Sequence, residues 1–270
     1  MKNNLIAMFV LTTLGNLAAF HASESWAADR DSFSIATGFD YSSGKYGSSN
    51  TTSILSIPFI GMYKTGLWMF NLTVPYVWIS GNGSVVLGMG GSMPGMSGSA
   101  SGMMSGGSVS TTQSGLGDVV AAASHNIYSG IDSADKVNIT GKVKFGTAET
   151  GLGTGENDYA AQVDVYQGYD QFTVMGSLGY LILGNPPGGN FNNVAYGIVG
   201  VYSQLSGQIG GGAEMRISQK YSDTTSGQGE LTIYLNHKFG KGQYMRGYVL
   251  KGFSDGSPDF GFGLLVTSEL

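Results

Sequence analysis

Period-two alternation constrains this chain more than any other feature. Trp68, Phe70, Leu72, Val74, Tyr76 and Trp78 place a large apolar side chain at every second position. A helix would scatter these groups around its axis, whereas an extended strand gathers them on one face. The span between the two indoles is about 33 Å at roughly 3.3 Å per residue. Tilted by about 40°, such a strand rises about 25 Å, the height of the apolar band between the two aromatic girdles of a transmembrane barrel. Trp68 and Trp78 are therefore expected as girdle residues. The alternative is a long strand of a soluble sandwich with both indoles buried.

The same period recurs along the chain. Phe33, Ile35, Thr37, Phe39 and Tyr41 share the first strand's face, opposite Ser32, Ser34 and Asp40, and the second strand covers residues 51–63. After the Trp68 strand come Val119, Ala121, Ala123, His125 and Ile127, then Val137, Ile139, Gly141, Val143 and Phe145. Tyr159, Ala161, Val163 and Val165 mark the sixth strand, and Phe172, Val174, Leu178, Tyr180 and Ile182 the seventh. The eighth is assigned an apolar face of Val194, Tyr196, Ile198, Gly200 and Tyr202. Ile209, Ala213, Met215 and Ile217 mark the ninth, and Leu231, Ile233, Leu235 and Phe239 the tenth. The eleventh, over residues 243–253, has ambiguous parity, and Phe260, Phe262, Leu264 and Val266 mark the last. The total is about twelve, an even number as in bacterial outer-membrane barrels.

Connections alternate in length. Tight turns are expected at residues 64–66, 129–134, 168–171, 206–207 and 240–242. Longer loops are expected at 42–50, 80–113, 147–157, 185–192, 221–229 and 254–259. Short periplasmic turns against long outer loops are a property of outer-membrane barrels. The predicted fold class is therefore all-β, a single transmembrane antiparallel β-barrel with both termini periplasmic.

The chain begins as an exported protein would. Lys2 precedes an apolar run over residues 5–20, and Ser25, Trp26 and Ala27 place small residues where a signal peptidase reads. This predicts a signal peptide over 1–27 and an outer-membrane barrel over 28–270. Only 11% of residues are charged, against about 25% in soluble domains. No Cys is present, so disulfides, thiolate metal sites and thiol nucleophiles are excluded. The net charge of -5 and the lack of any Lys/Arg cluster exclude nucleic acid as a partner.

Three groups of residues could carry function. Lys142, Lys144, Asp158, Asp164, Glu214 and Arg216 fall on the inward parity, with Lys144 counted diagonal to Asp158 and Arg216 diagonal to Glu230. They either set which solutes pass or form a salt-bridged filling. Residues 80–113 form an uncharged Gly/Ser segment with Met89, Met93, Met96, Met103 and Met104. It reads as an adaptable apolar gate, as a soft-metal thioether site or as a plain flexible segment. Asp118 could face the lumen, where a lone carboxylate reads as structural. Catalysis finds little support: His125 and His237 share parity with apolar residues, and no G-x-S-x-G elbow occurs. The Gly151-Leu152-Gly153-Thr154-Gly155 stretch lacks a P-loop lysine.

A series of short motifs resembles the outer-membrane family of the meta-cleavage pathway of phenol degradation. They are Leu72-Thr73-Val74-Pro75-Tyr76, Ser114-Gly115-Leu116-Gly117-Asp118-Val119, Lys142-Val143-Lys144-Phe145-Gly146-Thr147, Gly153-Thr154-Gly155 with Asp158-Tyr159 and Gln162-Val163-Asp164, and Gly256-Ser257-Pro258-Asp259-Phe260-Gly261. The resemblance covers the mature chain and implies a barrel that passes aromatic or other hydrophobic compounds. Two positions depart from it: Phe145 stands where relatives often carry Pro, and Leu270 where many barrels end in an aromatic.

The expected function is thus a pore or transporter for small, hydrophobic or aromatic solutes in a Gram-negative outer membrane. Its expected partners are outer-membrane lipid, those solutes and the barrel-assembly machinery, with no cofactor and no enzymatic activity. A structural or adhesive barrel with binding loops is the alternative, and a lipid-modifying barrel enzyme the third reading.

Overall fold

The computed structural model describes residues 31–46, 50–81, 85–88, 91–94, 111–130, 135–187, 189–223 and 225–270. The strands in chain order are β1 (Ser32–Gly44), β2 (Thr52–Thr65), β3 (Trp68–Gly81), β4 (Val85–Gly88), β5 (Gly91–Pro94), β6 (Thr111–Leu116), β7 (Val120–Ser129) and β8 (Lys136–Lys144). They continue with β9 (Asp158–Tyr169), β10 (Phe172–Ile182), β11 (Val194–Gln204), β12 (Ile209–Ser218), β13 (Gly229–Gly240), β14 (Gln243–Gly252) and β15 (Phe260–Glu269).

Thirteen of these join one antiparallel sheet, and β1 pairs with β15, so the sheet closes on itself. β6 and β7 lie end to end along β3 and occupy one position in the wall, which makes a twelve-position barrel. Their break falls at residues 117–119, opposite Pro75. Proline has no N–H to donate to the ladder, and the Pro75 carbonyl accepts from Gly117 N at 2.9 Å. The remaining two strands, β4 and β5, form a hairpin within the segment read as a loop over 80–113.

The wall is polarised by its alternation. Phe59, Phe70, Leu72, Val163, Leu178, Ile217, Ile233 and Leu235 point outward and are exposed. Ser56, Thr73, Ser124, Thr140, Thr232 and Thr267 point inward and are buried. Exposed aromatics mark both rims: Tyr63, Trp68, Tyr128, Tyr169, Phe172 and Phe239 at the turn end, Phe145, Tyr159, Tyr180, Phe253 and Phe260 at the loop end. A closed ring leaves no unpaired edge, and its apolar outside matches hydrocarbon, so the barrel crosses a bilayer through its strands.

One strand reverses the expected parity. Val194, Tyr196, Ile198 and Tyr202 of β11 are buried in the interior, and Ala195, Val199 and Val201 take the outer face. Both faces of β11 are apolar, so alternation alone carries no sense of direction there. The bulky rings turn inward because the neighbouring strands leave room for them. Tyr196 pairs with Gly179, Tyr202 with Gly212, and Tyr234 of β13 also with Gly212. A Cβ at either glycine would run into a tyrosine ring.

Candidate functional site

The six charged residues read as inward-facing are all buried: Lys142, Lys144, Asp158, Asp164, Glu214 and Arg216. Their registers are tighter than the sequence count. Lys144 lies directly opposite Asp158, and Arg216 directly opposite Glu230, instead of diagonally. The reason is that the chain leaves the sheet immediately after Lys144 and re-enters it at Asp158, so the loop closes squarely.

Lys144 is the hub at the loop end. Its Nζ lies 2.7 Å from Asp118 Oδ2 and 3.2 Å from Asp158 Oδ2, with side-chain exposures of 2%, 5% and 0%. Nζ also donates to Thr154 Oγ1 at 3.3 Å and to the Glu156 carbonyl at 3.0 Å. The second oxygen of each carboxylate accepts a backbone N–H. Ala148 N donates to Asp118 Oδ1 at 2.8 Å, and Gly184 N to Asp158 Oδ1 at 3.0 Å. Asp118, which the sequence suggested as a lone lumen carboxylate, is therefore one arm of a buried ion triad. The break opposite Pro75 is what brings it to the hub, because it interrupts the β6–β7 wall at this residue.

The hub fastens residues 145–157 at the mouth, folded in against β2, β3 and β6. Glu149 Oε1 accepts from Leu116 N at 2.9 Å, and Leu152 N donates to the Glu149 carbonyl at 2.9 Å. Leu152 is buried in an apolar cluster with Tyr46 of the loop between β1 and β2 and with Ile54, Val77 and Ile79 of the inner faces of β2 and β3. This cluster has no sequence signature: a lone Leu among glycines carries no periodicity.

Deeper in the interior runs a second polar chain. Lys142 Nζ donates to Gln162 Oε1 at 3.2 Å, and Tyr196 OH donates to the same oxygen at 2.7 Å. Gln162 Nε2 and Ser177 Oγ both donate to Asp164 Oδ1, at 2.6 and 2.5 Å. The Arg216 guanidinium lies 4.8 Å above the Tyr196 ring, and that of Arg246 4.6 Å above Tyr234. Arg246, on the strand of ambiguous parity, is buried and donates Nε to Asn236 Oδ1 at 2.6 Å. A guanidinium stacked on an aromatic face keeps its charge while its flat side remains apolar.

On the outer wall, Trp68 is exposed and stacks on His125 at 4.4 Å, and Trp78 lies 4.5 Å from Tyr76. His125 and His237 both sit on outward positions of the turn-end half, His237 beside Phe239. Met89, Met96, Met103 and Met104 lie outside the described residues. Met93 is placed only as a β5 residue paired with Val86. Among the described residues no cluster of His, Asp or Glu has the makings of a metal site. At the loop surface, the Lys220 and Asn192 side chains hold the Asp223 carboxyl below its ordinary range, the former at 2.8 Å.

No protein-family model matches the chain, and no curated protein matches it. Among solved structures the chain is similar to the CymD monoaromatic hydrocarbon channel, at 10% identity over 92% of this chain and 90% of that one, with a TM-score of 0.46. It is similar to the outer membrane phospholipase A of Escherichia coli, at 8% identity over 87% and 89%, with a TM-score of 0.43. It is also similar to the beta domain of the Bordetella autotransporter BrkA, at 11% identity over 89% and 100%, with a TM-score of 0.49.

Proposed function

We propose that this protein is an outer-membrane channel of a Gram-negative bacterium that admits small hydrophobic solutes through a gated mouth. The observation that carries the reading is a loop folded in at the mouth. Residues 145–157, a loop and not the wall, fold in at the mouth against β2, β3 and β6, and Leu152 seats on Ile54, Val77 and Ile79 of the inner surface. Withdrawing Leu152 would bare an apolar patch just inside the rim, the kind of surface an uncharged apolar solute binds.

The charge arrangement supports the same reading. A buried ion pair is poor as filler, because desolvation offsets most of the attraction, and packed apolar residues of similar volume often stabilise more. It suits a latch: strong when every partner is seated, and released as a unit when the loop lifts. Lys142, Asp164, Glu214 and Arg216 would then bias which solutes continue inward, while Trp68 and Trp78 hold the barrel at the two interfaces. Leader removal after residue 27 and handling by the barrel-assembly machinery belong to the same reading.

One observation favours a structural barrel instead: the inward side chains are buried from Lys136 near the turns to Asp158 at the mouth. Liposome uptake separates the two. The channel reading expects uptake of a labelled monoaromatic hydrocarbon into barrel-containing liposomes, faster after deletion of residues 148–154. A membrane as tight with the barrel as without it, in both forms, would remove the channel reading.

A further inference from the structure

A second connection folds in at the mouth and is held by apolar side chains of its own. The stretch from β10 to β11 carries no charge, and its large apolar groups are Leu183 and Phe191. Both are buried. They share one apolar cluster with Leu181 and Val194 at the loop ends of β10 and β11, with Tyr196 one inward position deeper, and with Tyr221 from the connection between β12 and β13. Asn185 ties the stretch to itself: its Nδ2 donates to the Phe191 carbonyl at 3.2 Å, and its Oδ1 accepts the Phe191 N–H. Pro186 and Pro187 fix their φ angles between these anchors, so the connection has few ways to bend and moves as a piece. Asn192 N donates to the Tyr221 carbonyl at 2.8 Å, and Tyr221 OH to Gln228 Oε1 at 3.0 Å. Phe191 and Tyr221 are thus seated on the β10–β11 side of the interior, as Leu152 is on β2 and β3.

Two contacts join this connection to residues 145–157. The Asp158 carboxylate is shared: Oδ2 faces Lys144 Nζ at 3.2 Å, and Oδ1 accepts Gly184 N at 3.0 Å. Beside it the backbones touch. A Cβ placed on Gly184 would lie 2.5 Å from Glu156 Cβ and 2.6 Å from the Asn157 carbonyl oxygen, so only glycine lets the two loops approach this closely. Glu156 is itself held, its carbonyl accepting from Lys144 Nζ at 3.0 Å.

These contacts make the two displacements interdependent. Lifting residues 145–157 takes away the surface on which Gly184 rests. Lifting the β10–β11 connection removes a backbone donor from a fully buried carboxylate, and so weakens the triad that holds residues 145–157. Each movement therefore favours the other.

We propose that these two loops open together as the leaves of one gate: residues 145–157, seated by Leu152, and the β10–β11 connection, seated by Phe191 beside Tyr221, joined at Asp158 and Gly184. The proposal rests on the channel reading for its purpose, since a coupled pair bares both apolar seats at once.

Hydrogen exchange on the mature barrel in detergent tests the coupling with no solute present, so its failure is distinct from a failure of uptake. Leu152 and Phe191 belong to separate clusters, so truncating one cuts no contact of the other. Phe191→Ala should lower the protection of the Ala148 and Leu152 amides about tenfold, and Leu152→Ala should do the same to the Phe191 and Asn192 amides, because coupling between two sites is reciprocal. Gly184→Ala, which pushes the leaves apart and truncates neither seat, should lower both sets about tenfold. The Gly168 amide, bonded to Asp135 Oδ1 at 2.9 Å at the turn end, should keep its native rate in all three variants. Heat-modifiable gel migration confirms that each variant is folded. A loss confined to the leaf that carries the substitution overturns the proposal. So does a loss as large at Gly168, since the change would then be global and not a property of the mouth.

Discussion

Replacing Lys144 with Met is the sharpest perturbation of the mouth. Met keeps the length and apolar volume of the stem and removes only the ammonium. Two carboxylates with side chains 5% and 0% exposed then lose their shared cation. Removing one partner of a buried pair costs roughly 3–5 kcal/mol. Here each carboxylate keeps a backbone donor, Ala148 N or Gly184 N, so the lower end of that range applies. About 3 kcal/mol corresponds to a shift of ~100-fold in the equilibrium between seated and lifted loop. The wall does not share the loss, because the ladder at Lys144 is made by backbone groups. Hydrogen exchange reads this directly. The amides of Ala148 and Leu152, bonded to Asp118 and to the Glu149 carbonyl, should lose about two orders of magnitude of protection, while mid-strand amides keep theirs. Adding Asp118→Asn to Lys144→Met should restore part of it by removing one unpaired charge. Native exchange rates of the loop amides in folded Lys144→Met would mean that the triad does not latch the loop.

Leu152→Ala should raise hydrocarbon uptake and cost the loop about 2–5 kcal/mol, as for other buried leucines, with the barrel's heat-modifiable band unchanged. Thr37→Cys with Val266→Cys should form a disulfide under mild oxidation, because these residues are direct partners across the closing seam and paired Cα atoms in antiparallel strands lie within disulfide reach; no background thiol interferes. Gly38→Val should block assembly, since its Cβ would collide with the Leu264 carbonyl, and the folded band on gels should vanish. The Asp223 carboxyl should titrate below the ordinary range by NMR and return toward it in Lys220→Met. With its folded value depressed, any stability it adds is present above the unfolded pKa and is lost as pH falls through the folded one.

Strand number, the alternation of turns and loops, and the outward face of most strands were legible in the sequence, because lipid on one side and polar groups on the other force a period of two. Tyr196 and Tyr202 escaped because their strand is apolar on both faces. The legible cue lay one strand away, in Gly179 and Gly212 opposite those rings. The charged residues of β8, β9 and β12 were placed on the correct side, yet Asp118 was not linked to Lys144, because that link depends on a wall break set by Pro75 on another strand. Leu152 was invisible for the same kind of reason: loop placement is decided by contacts distant in sequence, which local patterning does not encode.

The seam between β1 and β15 joins Ser34 to Glu269, nearly the whole chain apart. Until β15 has been made, the first strand has only one of its two partners, and both edges of the unfinished sheet carry bare N–H and C=O groups that hydrocarbon cannot satisfy. Closure must therefore wait for β15. Removal of β15 would leave an open sheet instead of a smaller cylinder, and maturation should be slow, as for any topology dominated by distant pairings.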